Sequence, residues 1–90
     1  MKAAHVFITG FVQGVGYRQF VKKIASNLNL KGWVKNLPDQ RVEAYFIGSK
    51  ENIEKAILEC KKGPFLAEIE DVEVEWNSSS ENLNSFEIIR

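Results

Sequence analysis

Gly10-Phe11-Val12-Gln13-Gly14-Val15-Gly16-Tyr17-Arg18 places three glycines in seven residues and ends on an arginine. Glycine admits backbone angles that a Cβ forbids. A loop rich in it can turn several N–H groups toward one point. A helix start adds further unpaired N–H donors. Such an arrangement binds anions, phosphate above all. Arg18 adds a fixed charge and a planar fork of donors. Before the loop stands an apolar run, Val6-Phe7-Ile8, and after it a helical pattern. Strand, glycine loop, arginine and helix start together suit phosphate binding.

Other phosphate loops fit poorly. A P-loop needs Gly-x4-Gly-Lys-Ser/Thr, but Val15 stands five positions after Gly10. The dinucleotide fingerprint needs a third glycine three positions after Gly16, where Gln19 stands. Glycine content alone fits a plain tight connection equally well. Other catalytic machinery is sparse. Cys60 is followed by Lys61-Lys62-Gly63-Pro64-Phe65-Leu66, so no Cys-x5-Arg element exists. Asp71-Val72-Glu73 lacks the second aspartate of an aspartyl-phosphate enzyme. His5, the one histidine, sits in a strand pattern without a nucleophile elbow. No His/Cys cluster suggests a transition metal.

Ile8-Thr9-Gly10-Phe11-Val12-Gln13-Gly14-Val15-Gly16-Tyr17-Arg18 resembles the first signature of the acylphosphatase family. Gly32-Trp33-Val34-Lys35-Asn36, then Val42 and Gly48, resembles the second. The likeness runs on through Gly63-Pro64 and Val72-Glu73-Val74-Glu75-Trp76. Two positions depart from the pattern. Tyr17 stands where phenylalanine is commoner, and Gln40 where glycine is usual. The resemblance implies hydrolysis of acyl phosphates to carboxylate and inorganic phosphate by direct water attack. It implies that Arg18 and the loop Gln13, Gly14, Val15, Gly16, Tyr17 and Arg18 hold the phosphate. It implies that Asn36 orients the attacking water, with a phosphate oxygen or bulk water as final proton acceptor. An asparagine before a turn also often caps its own backbone. Gln13 has two readings, backbone donor or brace of the loop. No cofactor and no metal are expected.

The sparse machinery agrees with this substrate class. An alkyl phosphate expels an alkoxide, whose conjugate acid resembles water at a pKa of about 15.7. That departure calls for a general acid or a metal. An acyl phosphate expels a carboxylate, whose acid has a pKa of about 4. Such a group leaves without a proton.

The elements that must position these residues follow from periodicity. Ala4 to Thr9 reads as a strand. Gln19 to Leu30 reads as a helix with Phe20, Val21, Ile24, Ala25 and Leu28 on one stripe. Trp33 to Leu37 is a second strand. Leu37-Pro38-Asp39-Gln40 is a turn, and Val42 to Ile47 alternates as a third strand. Ser49 caps a second helix, whose stripe is Ile53, Ala56, Ile57 and Cys60 and which Gly63-Pro64 stops. Val72 to Asn77 is a fourth strand, Asn77 to Ser85 a polar mobile loop, and Phe86 to Ile89 a fifth strand. The expected fold is α+β: a ferredoxin-like βαββαβ sandwich, an antiparallel sheet with two helices on one face, and a short C-terminal strand. Tyr17, Trp33 and Trp76 are expected to pack, and Cys60 to be buried and inert.

Composition sets the remaining bounds. Ninety residues make one domain, 1–90, with a small core. Twelve basic residues balance twelve acidic ones, so nothing points to nucleic acid or an anionic membrane. The apolar runs are too short to span a bilayer, and no signal peptide is visible. A lone cysteine forms no internal disulfide. A cytoplasmic monomer acting on a small-molecule acyl phosphate is expected. Two alternatives belong to other classes: a noncatalytic ferredoxin-like module for RNA or a regulatory ligand, and a domain of a larger carbamoyl-phosphate-handling protein. Fold alone does not choose among them. Arg41-Val42-Glu43-Ala44-Tyr45-Phe46 fails the RNA-binding RNP1 pattern.

Overall fold

The computed structural model describes residues 1–79 and 81–89. Its elements run β1 (Lys2–Phe11), α1 (Tyr17–Asn27), β2 (Lys31–Asn36), β3 (Val42–Gly48), α2 (Lys50–Lys62), β4 (Glu68–Ser78) and β5 (Phe86–Ile89). The five strands form one sheet in the order β4-β1-β3-β2-β5. β1 pairs antiparallel with β3 and β4, and β2 antiparallel with β3. β5 pairs parallel with β2, so the sheet is mixed rather than wholly antiparallel. The geometry requires this. A chain that reverses once after β4 runs in the direction of β1, which is also that of β2. Pairing beside β2 is then parallel.

Alternation along the strands sends one face to the helices. Ala4, Val6 and Ile8 of β1 are buried there with Val34, Val42, Ala44, Phe46 and Phe86. Helix α1 contributes Val21 and Ala25 to this core, with Phe20, Ile24 and Leu28 partly buried against it. Helix α2 contributes Ile53, Ala56, Ile57 and Cys60, the whole expected stripe. On the open face Ala3, Tyr45 and Ile47 are buried, and Trp33 packs against them. Trp76 departs from expectation: it is 41% exposed, with the Lys50 ammonium 6.0 Å from its ring.

Helix α1 begins and ends earlier than periodicity suggests. It starts at Tyr17 because Gly16, in a left-handed conformation, is its N-cap. It stops after Asn27 through a Schellman closure. Asn29 takes a φ of 56°, its N–H bonds the Ser26 carbonyl, and the Leu30 N–H bonds the Ala25 carbonyl at 2.9 Å. Leu30 keeps the apolar rhythm because it is buried as part of that closure, not as helix. Ser49 caps α2 as expected, accepting from the Asn52 N–H at 3.2 Å. β4 also runs further than its alternation shows: Asn77 and Ser78 pair with Ala3 and Lys2. They are strand, not loop. Ser80, within the segment expected to be a loop, lies outside the described residues.

The β2–β3 hairpin turns over Leu37-Pro38-Asp39-Gln40. The Gln40 N–H bonds the Leu37 carbonyl at 3.2 Å, and the Leu37 N–H closes on the Arg41 carbonyl at 2.8 Å. Asp39 holds the far side, accepting from the Arg41 backbone N–H and from its Nε at 2.8 Å. Those bonds to Arg41 keep the Asp39 carboxyl below its ordinary pKa. This is a type I turn followed by a left-handed residue. Gln40 occupies that position at a φ of 78°, where a Cβ costs roughly 1–2 kcal/mol. Glycine removes the cost but loosens the unfolded chain. Gln40→Gly is therefore expected to stabilise the protein by about 0.5–1 kcal/mol, several degrees in Tm for a domain this size. Calorimetry checks this; a variant melting below wild type contradicts it.

Candidate active site

β1 and β2 run in the same direction, so their C-terminal ends meet at one end of the sheet. β1 delivers the glycine loop there, β2 delivers Asn36, and α1 starts there. The loop is anchored from within. Val12 and Tyr17 are buried on either side of it, and Val15 packs partly against the core. Between these anchors Gly14 and Gly16 both take a φ of 78°. A Cβ at either would meet no atom within 4 Å, so glycine serves the backbone angle rather than a lack of room.

Among the described residues, no backbone hydrogen bond outside the helices and strands is donated by the N–H groups of Gln13 to Arg18. The first N–H groups of α1 have no intrahelical acceptor by construction. No side chain caps this helix start, and no acidic residue lies in its first turn. The unpaired donors and the positive end of the helix dipole thus lie together at this end of the sheet. Arg18 is the second residue of α1, and no described carboxylate comes within ion-pair distance of it. Gly14, Gly16, Tyr17 and Arg18 line a pocket of about 150 Å³ with Gln19 and Ile88. Ile88 comes from β5, a wall that no sequence signal indicated, because β5's place in the sheet was not legible. A larger hollow of about 710 Å³ lies at the other end of β1, among Met1, Lys2, Gly48, Ser49, Ser78 and Ser79. None of the expected site residues borders it.

Tyr17 enters the loop through its backbone only. Its ring is 1% exposed, and its hydroxyl donates to the Cys60 carbonyl at 2.9 Å. That carbonyl lies in the last turn of α2, where intrahelical donors run out. The bond ties the start of α1 to the end of α2. Burial raises the phenol's pKa above its ordinary value, as does the proximity of Cys60.

Gln13 sends its side chain away from the loop. Its Nε2 donates to the Leu37 carbonyl at 3.0 Å and to the Arg41 carbonyl at 2.9 Å. Two facing acceptors assign the amide's NH2 end unambiguously. Of its two readings as donor and brace, the side chain takes the second, and the backbone N–H remains without an acceptor.

Asn36 ends β2, opposite Val42 in the last rung of the hairpin ladder. It does not border the pocket, but it precedes Leu37, which Gln13 grips. Its Oδ1 is buried and has no hydrogen-bond partner. Buried polar atoms are rarely left unpaired, and an orphan of this kind suits a group that joins only during function. No turn-capping bond is made by that oxygen. Among the described residues no three His, Cys, Asp or Glu side chains group closely enough to hold a metal.

A small pocket beside a left-handed glycine loop, on a ferredoxin-like sandwich, defines a class of small α/β domain. Comparisons with known proteins narrow it. The acylphosphatase family model matches residues 4–88. An acylphosphatase of Trichormus variabilis is 49% identical over 86 residues, 96% of this chain and 84% of that one. The crystal structure of acylphosphatase from Bacillus subtilis superposes with a TM-score of 0.97 at 33% identity, over the full length of both. A crystal structure of T. kodakarensis HypF superposes at 0.86 with 40% identity, covering 99% of this chain but 12% of the longer one. The chain belongs to the acylphosphatase family. The noncatalytic alternative is not favoured by these matches. No helix among the described residues is long and apolar enough to cross a membrane.

Cys60 stands behind the site, fully buried. Burial pushes its thiol from an ordinary 9.0 up to about 12. The protonated form is what the fold holds, so this contribution to stability is complete below about pH 9. It falls as the pH rises toward 12, because the unfolded chain ionises first. The native protein is expected to resist thiol reagents at pH 8 and to react at once in denaturant. Its Tm is expected to fall above pH 9, and less steeply in Cys60→Ala. Fast labelling of the native protein contradicts the burial.

Proposed function

We propose that this protein hydrolyses acyl phosphates by direct attack of water on phosphorus, without a metal or a covalent intermediate. The observation that carries the reading is the set of unpaired N–H groups from Gln13 to Arg18, opening on a pocket that Arg18 shares. In phosphoryl transfer, charge spreads over three equatorial oxygens. Donors already aimed at those oxygens lower the barrier and need no rearrangement during reaction. Arg18 adds a bidentate charged contact. Phosphate binding by Gln13, Gly14, Val15, Gly16, Tyr17 and Arg18 is through these groups.

Asn36 holds the attacking water. Its side-chain amide can accept one hydrogen bond from a water and donate another, which turns an oxygen lone pair toward phosphorus. The water oxygen bonds to phosphorus as the bond to the acyl oxygen breaks. The bonding pair leaves with the carboxylate. A phosphate oxygen or bulk water takes the proton, since an amide is not a base. No acid is needed for a leaving group whose conjugate acid has a pKa of about 4. The lone buried thiol suits a reducing compartment, and the reading includes a cytoplasmic monomer of one domain.

Phosphate release from acetyl or benzoyl phosphate is expected to persist in excess EDTA, with little release from an alkyl phosphate. Dependence on added divalent metal contradicts the metal-free route; no release from any acyl phosphate contradicts the whole reading.

Arg18 and Asn36 are separable by variant kinetics. Arg18→Ala is expected to cost about 10³-fold in kcat/KM or more, and Arg18→Lys to fail as well, for want of the fork. Inorganic phosphate should raise the Tm of wild type and of Arg18→Ala unequally, far less in the variant. Asn36→Ala should lower kcat by about 10²–10³ and disturb phosphate Kd much less. An Arg18→Ala enzyme within a few-fold of wild type removes Arg18 from the site. A collapse of phosphate binding in Asn36→Ala reverses the two assignments.

A further inference from the structure

We propose that Gln13 is a positioning residue that sets Asn36 against the bound phosphate through its side-chain amide. The inference rests on the proposed role of Asn36 and names what holds that residue in register. A site that binds the anion with one loop and the water with another must fix the distance between them. β1 and β2 are not neighbours in the sheet, because β3 lies between them. Their ladders therefore do not lock the loop after β1 to the end of β2.

The Gln13 amide makes that link. Its Nε2 hydrogens are both spent on the hairpin, one on the Leu37 carbonyl and one on the Arg41 carbonyl. Leu37 follows Asn36, and Arg41 precedes Val42, the residue opposite Asn36. One amide thus grips both strands beside the rung that carries Asn36. Each carbonyl already accepts one backbone N–H, Gln40 at Leu37 and Leu37 at Arg41. Gln13 occupies the remaining lone pair of each. The turn closes without Gln13, so the two extra bonds are not required to form the hairpin. What they add is a connection over 24 and 28 residues of sequence between the loop and the turn. Gln13 is also the first residue of the loop, next to Gly14. The same residue carries one of the unpaired N–H groups and the brace to the hairpin. Phosphate and water would then be held at a separation that one side chain maintains.

A double-mutant cycle on the full chain tests this. Misplacement of a reacting group by 1 Å can cost about 10²-fold in rate. Gln13→Leu in the wild-type background is expected to lower kcat by about 10–10²-fold, with phosphate Kd changed much less. In an Asn36→Ala background the same change should cost about twofold or less, because the group being positioned is gone. A brace serving stability alone would lower Tm in both backgrounds and leave no coupling in kcat. If Asn36→Ala lowers kcat and Gln13→Leu then costs the same in both backgrounds, the positioning role is overturned while the role of Asn36 stands. If Asn36→Ala leaves kcat intact, both fall. A Kd for phosphate that rises in step with the loss of kcat overturns the proposal as well, since Gln13 would then shape the anion loop alone.

Gln13→Glu provides a second route if the leucine variant folds poorly. At pH 7 its carboxylate faces two carbonyls and donates nothing. Below the ordinary glutamate pKa of about 4.3 its O–H can restore one bond. Activity relative to wild type is expected to be low at pH 7 and to recover in part as the pH falls through that range. A ratio that stays flat with pH overturns the positioning role.

Discussion

The structure turns on one constraint: backbone N–H groups must stay unpaired and yet be held still. Donors left without acceptors normally find them within the chain or in water. The loop from Gln13 to Arg18 resists internal pairing because Gly14 and Gly16 stand in left-handed conformations that carry the backbone away from any ladder. It resists collapse because Val12, Val15 and Tyr17 drive their side chains into the core on the inner side. Apolar burial on one face and unpaired donors in the backbone is how a flexible sequence becomes a fixed loop suited to the proposed anion.

The rest of the fold supplies the frame for that seat. Parallel directions for β1 and β2 bring the glycine loop and Asn36 to the same end of the sheet, with the start of α1 beside them. β5 completes the edge and places Ile88 in the pocket wall. The Tyr17 hydroxyl fastens the start of α1 to the last turn of α2, so the helix that presents Arg18 is tied to the other helix as well as to the sheet. A buried hydroxyl at that point also satisfies a helix-end carbonyl that phenylalanine would leave bare.

The open face of the sheet serves a different end. Trp33 and Tyr45 pack there with Ala3 and Ile47, and Lys35 lies 5.0 Å from the Trp33 ring. His5 and Lys35 both approach the Glu43 carboxylate, at 3.0 and 3.9 Å. These contacts run across β1, β3 and β2, and they stiffen the three central strands on the side the helices leave uncovered. The strand ends that carry the site inherit that stiffness.

Local chemistry in the chain was sufficient for much of this. Three glycines before Arg18 marked the left-handed loop, because such a backbone favours glycine at Gly14 and Gly16. The stripe Ile53, Ala56, Ile57 and Cys60 marked the buried face of α2, because helical period and burial act through near neighbours. Pro38-Asp39 marked the turn, and with it the strain at Gln40, for the same local reason. The resemblance to a known family singled out Asn36; a lone asparagine before a turn otherwise carries no distinguishing signal. What the chain could not reveal by itself were relations between distant segments. The parallel edge at β5 depends on which side of the sheet the chain reaches after β4. The early end of α1 depends on a closure at Asn29 that apolar period runs straight through. The partner of the Tyr17 hydroxyl lies 43 residues away, and those of the Gln13 amide 24 and 28 away. A polar side chain offers the same donors wherever it points. Only the folded chain decides which acceptors stand in front of it.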